Sequence, residues 1–312
     1  MTNAEQRHVP VLFEEVMNSL RLRPGAVVAD CTLGMGGHSE GILRRIGPTG
    51  HLIAFDRDPE ALGLARERLE RVVAELGDQA PRLTLVGEPF SSIAEHVQEG
   101  SLDGLMADFG VSSLQLDEAR RGFSFRADGP LDMRMDTRRG MTAEQVVNEA
   151  SERELADLIY EYGEERRSRR IARAIVEGRP IATTGELARI VAKAAPAMKQ
   201  DRIHPATRTF QALRIYVNRE LGEITDLLAI APKLLKAEGR LAVISFHSLE
   251  DRIAKDSLRD GAHEGIWTLI AKKPLTAGEE ELEVNPRSRS AKLRVAERNG
   301  AVQKGWKKGK KY

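Results

Sequence analysis

Between the apolar run Ala26–Asp30 (AVVAD) and the helix-like stretch EGILRRI at Glu40–Ile46, three glycines fall within four positions: Gly34, Gly36 and Gly37. A peptide without Cβ atoms turns tightly, accepts positive φ and lets a ligand approach its backbone. Between a strand and a helix, such a turn also aims that approach at the positive end of a helix dipole. The feature restricts the chain to folds in which strands feed helices. The same pattern suits a tight βα turn that holds nothing, so the glycines alone leave both readings open.

The flanking sequence repeats the strand–helix rhythm. His51–Asp56 (HLIAFD), Arg82–Gly87 (RLTLVG) and Leu102–Asp108 (LDGLMAD) read as three further short strands. Val11–Leu20 places Phe13, Val16, Met17 and Leu20 on one helical face, and a second helix runs from Pro59 to about Leu76 with Asp58 as its N-cap. From Glu144 to Ala195 the periods are helical, with Ser151 and Glu154 spaced as a capping box and Gly163 and Gly178 where helices should end. The rhythm resumes with a helix over Glu220–Ala237 and a strand over Arg240–Phe246, then late strands at Ile266–Lys272 and Ala291–Ala296. The expected fold is α/β, a doubly wound sheet with an inserted all-helical domain. Residues 1–117 and 221–303 form the sheet domain, 118–220 the insertion, and 304–312, with five lysines, a basic and disordered tail.

An acid completes the glycine turn. Asp56 ends the second strand about twenty residues on, where a carboxylate can accept both hydroxyl hydrogens of an adenosine ribose. A dinucleotide turn would read G-x-G-x-x-G, but Ser39 stands at the third glycine's place. Asp30 ends the first strand and is available to a positively charged group. S-adenosylmethionine has an amino group, a sulfonium and no pyrophosphate, and this combination favours it over NAD.

The fourth strand ends at Asp108, which a doubly wound order places across the switch point from the glycine turn. There it can bind the cofactor, accept a hydrogen bond from a substrate amine, or merely cap the next turn. An exocyclic base amine is a poor nucleophile because its lone pair is delocalised into the ring. An acceptor that draws it towards tetrahedral geometry eases methyl transfer, and positioning supplies much of the rest.

Composition removes several alternatives. The single cysteine, Cys31, excludes an internal disulfide and a cysteine zinc cage, and no metal is expected. The N-terminal MTNAEQRHVP has no signal-peptide core and no apolar run approaches a membrane span, so a soluble cytoplasmic protein without a membrane partner is expected. Aromatic residues are only 4%, which argues against stacking as the main binding device. Net charge is +1, so attraction to nucleic acid must come from local clusters.

Long stretches, in order, resemble the MraW/RsmH family of S-adenosylmethionine-dependent methyltransferases, which modify the N4 amino group of a cytidine in 16S ribosomal RNA. They are HVPVLFEEV (His8–Val16), GMGGHS (Gly34–Ser39), AFDRDPEAL (Ala54–Leu62), DFGVSSLQLD (Asp108–Asp117) and RGFSFRADGPLDMRMD (Arg121–Asp136). RIHPATRTFQALRIYVNREL (Arg202–Leu221), SFHSLEDRIAK (Ser245–Lys255) and NPRSRSAKLRVAER (Asn285–Arg298) follow. The resemblance implies a class I (Rossmann-like) methyltransferase sheet with a helical insertion. It implies cofactor contacts from Gly36, Gly37 and His38, with Asp56 on the ribose, Phe90 against the adenine, and Asp108 and Gln115 completing the pocket. It allows a homodimer. Phe109 stands where the family commonly has Leu, Leu114 where it has Pro, and the D-P-P-Y motif of many amino-methyltransferases is absent. Asp108 is taken as the amine acceptor. His204 and His247 are given no role as base, since the amine need lose its proton only after it attacks.

The expected partner is 16S rRNA within the small ribosomal subunit. Tyr160–Arg219 holds thirteen Lys and Arg against six Asp and Glu, a net +7. Arg166, Arg170, Arg202 and Arg208 are the expected phosphate contacts, which position more than they specify. A cytidine in folded RNA must be extruded or already exposed to meet a methyl donor. The rival readings are an RNA-binding protein with a vestigial methyltransferase fold, an NAD-dependent dehydrogenase and a small-molecule methyltransferase.

Overall fold

A computed structural model describes residues 10–197 and 203–300. The elements run α1 (Phe13–Leu20), β1 (Val27–Asp30), α2 (Gly37–Ile46), β2 (His51–Phe55), α3 (Pro59–Leu76), β3 (Arg82–Val86), α4 (Ile93–His96) and β4 (Leu102–Asp108). Six helices follow: α5 (Ser113–Asp117), α6 (Ala143–Glu149), α7 (Glu152–Gly163), α8 (Ser168–Glu177), α9 (Thr184–Ala194) and α10 (Thr207–Asn218). The chain closes with α11 (Glu220–Leu234), β5 (Leu235–Ser245), α12 (Ser248–His263), β6 (Trp267–Leu269), α13 (Glu279–Val284) and β7 (Lys292–Arg298). It divides into two compact units, one ending at Gly110 and resuming at Glu223, the other spanning Val111–Gly222.

The first unit carries a seven-stranded sheet in the order β3-β2-β1-β4-β5-β7-β6. The five strands from β3 to β5 in that order are parallel, whereas β7 runs antiparallel to both β5 and β6. The order reverses between β1 and β4, which brings their carboxyl ends side by side, the place where doubly wound sheets bind ligands. Strands covered on both faces should be continuously apolar, and β1 is so over Val27–Ala29 and β2 over Leu52–Phe55. Their Val28, Leu52 and Ala54 join Ile42, Leu43, Leu69 and Met106 in a buried core. Helix α3 starts as its sequence demands: the Asp58 carboxylate accepts from the Glu60 N–H at 3.1 Å, with Pro59 at the first helical position.

Two expectations shift. The helix from Glu220 stops at Leu234, not Ala237, and the strand begins at once with Leu235 paired to Leu102. An irregularity with Glu238 at φ 65° then carries the register to Arg240 opposite Gly104. Lys236 reaches Asp103 at 2.6 Å, an ion pair that periodicity could not reveal. The strand expected over Ile266–Lys272 is only Trp267–Leu269.

The second unit is helical around its own core of Leu131, Val147, Leu155, Ile159, Ile171, Leu187 and Leu213, among others. Capping boxes open four of its helices: Ser112–Gln115, Thr142–Gln145, Ser151–Glu154 and Thr183–Glu186. Gly163 ends α7 and Gly178 caps α8. Arg121 is 3% exposed, donates to the carbonyls of Arg134 and Met135, and lies over the Phe123 ring. Asn218 accepts from the Met135 N–H at 2.7 Å and donates to the Met133 carbonyl. The stretch RGFSFRADGPLDMRMD is thereby pinned to α10. No helix among the described residues is long and apolar enough to cross a membrane.

Candidate functional site at the strand ends

Hydrogen bonds stitch the loops leaving β1, β2 and β4 together. The Gly34 N–H donates to Asp56 Oδ2 at 2.8 Å, and the Asp58 N–H to Asp56 Oδ1 at 2.8 Å. The Asp108 N–H donates to the Thr32 hydroxyl at 2.6 Å. Leu33 donates to the Phe55 carbonyl, and Cys31 to that of Met106. Glycine is required at Gly34 and Gly36, whose φ values are 51° and 78°. Gly37 opens α2, and a Cβ on it would lie 2.4 Å from Pro10 Cγ.

Four carboxylates gather along this edge of the first unit. Asp30 is buried and accepts from the Ser39 hydroxyl at 2.6 Å and the Thr32 N–H at 3.1 Å; burial nevertheless raises its pKa. Burial pushes Asp56, which is only partly covered by neighbouring atoms, up to about 7 against the pull of the Asp58 and Gly34 N–H groups. Asp108 is raised well above the usual carboxylate range, first by burial and then by Asp30 and Glu250. Its Oδ1 is buried and has no hydrogen-bond partner among the described residues. Such an atom is costly unless a ligand or water completes it. Glu250, on the first turn of α12, is fully buried; it accepts from the Phe246 N–H at 2.8 Å and lies 3.0 Å from His247 Nε2. No group of three His, Cys, Asp or Glu among the described residues is placed to hold a metal.

The expected site residues divide by unit. Gly36, Gly37, His38, Asp56, Phe90 and Asp108 belong to the first, and Gln115 to the second. Gln115 is buried and closes the capping box of α5, its Oε1 accepting from the Ser112 N–H at 3.0 Å. His38 is buried with Nε2 3.0 Å from the Val11 carbonyl oxygen and its ring stacked near Phe13. Phe90 is half-buried at the start of a short 3₁₀ turn, its ring centroid 6.2 Å from that of Phe109. Of the expected RNA contacts, Arg166 and Arg170 are exposed, whereas Arg208, 47% exposed, lies 3.7 Å from buried Glu165. Arg202 lies outside the described residues, as does the 304–312 tail.

Three participants escaped the sequence reading: Thr32, Phe109 and Glu250. Thr32 and Phe109 lie near recognised acids, but only the packed sheet shows that Thr32 meets the Asp108 N–H and Phe109 the Phe90 ring. Glu250 had a signal, the spacing H-x-x-E immediately after a strand, which resembles a helix start.

Similarity to known proteins follows the whole chain. The family model described as the MraW methylase family matches residues 5–299. A protein of Acidobacterium capsulatum named ribosomal RNA small subunit methyltransferase H is 65% identical over 293 residues, 94% of this chain and 99% of that one. Proteins with the same name from Koribacter versatilis and a Cyanothece species are 59% and 51% identical. These alignments cover 93% and 95% of this chain, and 94% and 96% of the relatives. With its glycine turn, its strand-end acids and its doubly wound sheet, the chain belongs to the MraW methylase family.

Proposed function

We propose that this protein transfers a methyl group from S-adenosylmethionine to the N4 amino group of a specific cytidine in 16S rRNA of the small ribosomal subunit. The observation that carries the reading is the buried, unpartnered Oδ1 of Asp108 beside the β1 turn. The names of the relatives, each a ribosomal RNA small subunit methyltransferase H, support the substrate class.

The residues present fit the cofactor. Acids that raise one another's pKa are relieved by a cationic ligand, and a bound cation returns Asp108 to its ionised form. The positive-φ turn at Gly34–Gly36 bares backbone at the end of β1. Asp56 offers the ribose hydroxyls the lone pairs that Gly34 and Asp58 leave unused. Phe90 presents an apolar face for the adenine. The His38 ring is committed to the Val11 carbonyl, so its share is the backbone at the start of α2. Gln115 is carried as a cofactor contact by resemblance. When bound, S-adenosylmethionine supplies a methyl group activated by its sulfonium.

The chain's own work is to bind, orient and polarise. Asp108 Oδ1 accepts a hydrogen bond from the N4 amine, weakening its conjugation with the ring and aiming its lone pair. The proton leaves the nitrogen after the new bond forms, so a strong base is unnecessary. Arg166, Arg170, Arg202 and Arg208 hold phosphates. The protein acts in the cytoplasm.

Incubation with tritiated S-adenosylmethionine and unmodified small subunits tests this. Label is expected in 16S rRNA, and mass spectrometry of its nucleosides should return N4-methylcytidine. Cofactor binding without label in the RNA would overturn the substrate, and label on another base or atom would overturn the N4-cytidine assignment.

A further inference from the structure

Aromatic residues are scarce in this chain, but they are not evenly spread. The three described tyrosines, Tyr160, Tyr162 and Tyr216, all lie on α7 and α10. Tyr160 is 60% exposed and Tyr216 is 50% exposed. A single exposed aromatic is ordinary on a protein surface, so the charge around each ring has to tell them apart.

The two helices make a rigid mount. A Cβ on Gly163 would lie 2.7 Å from the Arg208 carbonyl oxygen and 3.4 Å from Ala212 Cβ, so α7 meets α10 at a distance only glycine permits. Gln211 Nε2 donates to the Tyr162 carbonyl at 3.0 Å. Tyr162 packs partly buried against the helical core.

The surroundings of the two exposed rings differ in charge. Tyr216 stands between exposed Arg208 and exposed Arg219 along α10. Tyr160 shares its exposed face of α7 with Glu164 and with Asp157, which lies 3.8 Å from Arg153 on the same face. An anionic strand is drawn more strongly to the first ring than to the second.

We propose that Tyr216 is a stacking platform for an unpaired base of the RNA, with Arg208 and Arg219 engaging the phosphates on either side. The proposal rests on the reading that the substrate is RNA. Charge complementarity selects this occupant, since Tyr160–Arg219 carries a net +7. Stacking tolerates any base because each has a π face, so the platform contributes affinity and register and leaves the choice of target elsewhere.

Filter binding of unmodified small subunits to the full-length protein tests it, with wild type, Tyr216→Phe, Tyr216→Ala and Tyr160→Ala compared. Tyr216→Ala is expected to weaken binding about tenfold, with Tyr216→Phe close to wild type and Tyr160→Ala unchanged. S-adenosylmethionine affinity should be the same in all four. Undiminished binding by Tyr216→Ala, while wild type binds and methylates, overturns the platform alone. An equal loss in Tyr160→Ala overturns it too, as does a Tyr216→Ala variant whose only defect is a lower sedimentation coefficient, which would assign the face to a second copy of the chain. Wild type that takes up cofactor but neither binds nor methylates the subunits overturns the substrate reading, and the platform with it.

Discussion

The strand-end edge of the α/β unit and the surface of the helical unit treat the same side chain, a carboxylate, in opposite ways. At the edge, Asp30, Asp56 and Glu250 are held by backbone N–H groups of Thr32, Gly34, Asp58 and Phe246. Burial dominates there, and Asp30, Asp56 and Asp108 are all shifted up. In the helical unit, carboxylates are held by arginines: Asp132 by Arg134, Asp136 by Arg138 and Arg139, Glu165 by Arg167 and Arg208. All three are shifted down, Asp136 to about 2 through its hydrogen bonds to Arg138. The helical unit neutralises its own acids and keeps surplus cations on its surface. The edge leaves Asp30 and Asp108 without an ion pair among the described residues, which suits it to meet a cation from outside. On the function proposed above, the helical unit meets the phosphates of RNA and the edge meets a positively charged cofactor.

The largest effect that could break this contrast lies at Asp108. Asp108→Asn keeps the shape and removes the charge; methyl transfer should fall roughly 100- to 1000-fold, with subunit binding intact. Single-turnover label transfer measures it, and an unchanged rate would remove Asp108 from the reaction.

Next comes Asp56. Asp56→Ala should weaken S-adenosylmethionine binding roughly 100-fold by deleting two charge-assisted hydrogen bonds. In wild type, cofactor affinity should rise between about pH 6 and pH 8 as the carboxyl ionises. Stability runs the other way. Asp56 has a folded pKa of about 7 against 3.8 ordinarily, so the folded, ligand-free protein keeps a proton that the unfolded chain has lost. Its contribution to stability therefore falls as pH rises from about 4 to about 7. Calorimetric titration across pH, with thermal melts of the free protein, sharpens the contrast; flat profiles in both would break it.

The smallest effect belongs to the helical surface. Arg166 and Arg170 make no ion pair among the described residues and are exposed. Replacing both by alanine should make the salt dependence of subunit binding shallower by about two in log–log slope. Cofactor affinity should not move. A slope that stays put would return these arginines to ordinary solvated surface.

Much of this was legible in the chain itself. The strands at Leu102–Asp108 and His51 and the helix over Pro59–Leu76 were readable because their apolar periods and caps are local. Asp56 and Asp108 were readable as strand-end acids because doubly wound sheets place such ends together. The end of α11 was not, since Leu235 leaves the helix to pair with Leu102 across the sheet. Neither was the commitment of His38 to Val11, a contact spanning 27 residues that no helix period encodes. The chain-wide aromatic content of 4% does not show that the three described tyrosines share α7 and α10.

By itself the sequence determined the elements, their order and the chemical character of the site: a glycine turn, acids at strand ends and an arginine-rich helical stretch. Those properties depend on neighbours within a turn or two of chain. Only the tertiary structure decided which charges are answered. Among the described residues Asp108 Oδ1 is left without a partner, and Glu165 gains Arg208 beside its neighbour Arg167, because strands and helices distant in sequence come to lie side by side. Burial and pairing, which set the state of every ionisable group, exist only once the chain has packed.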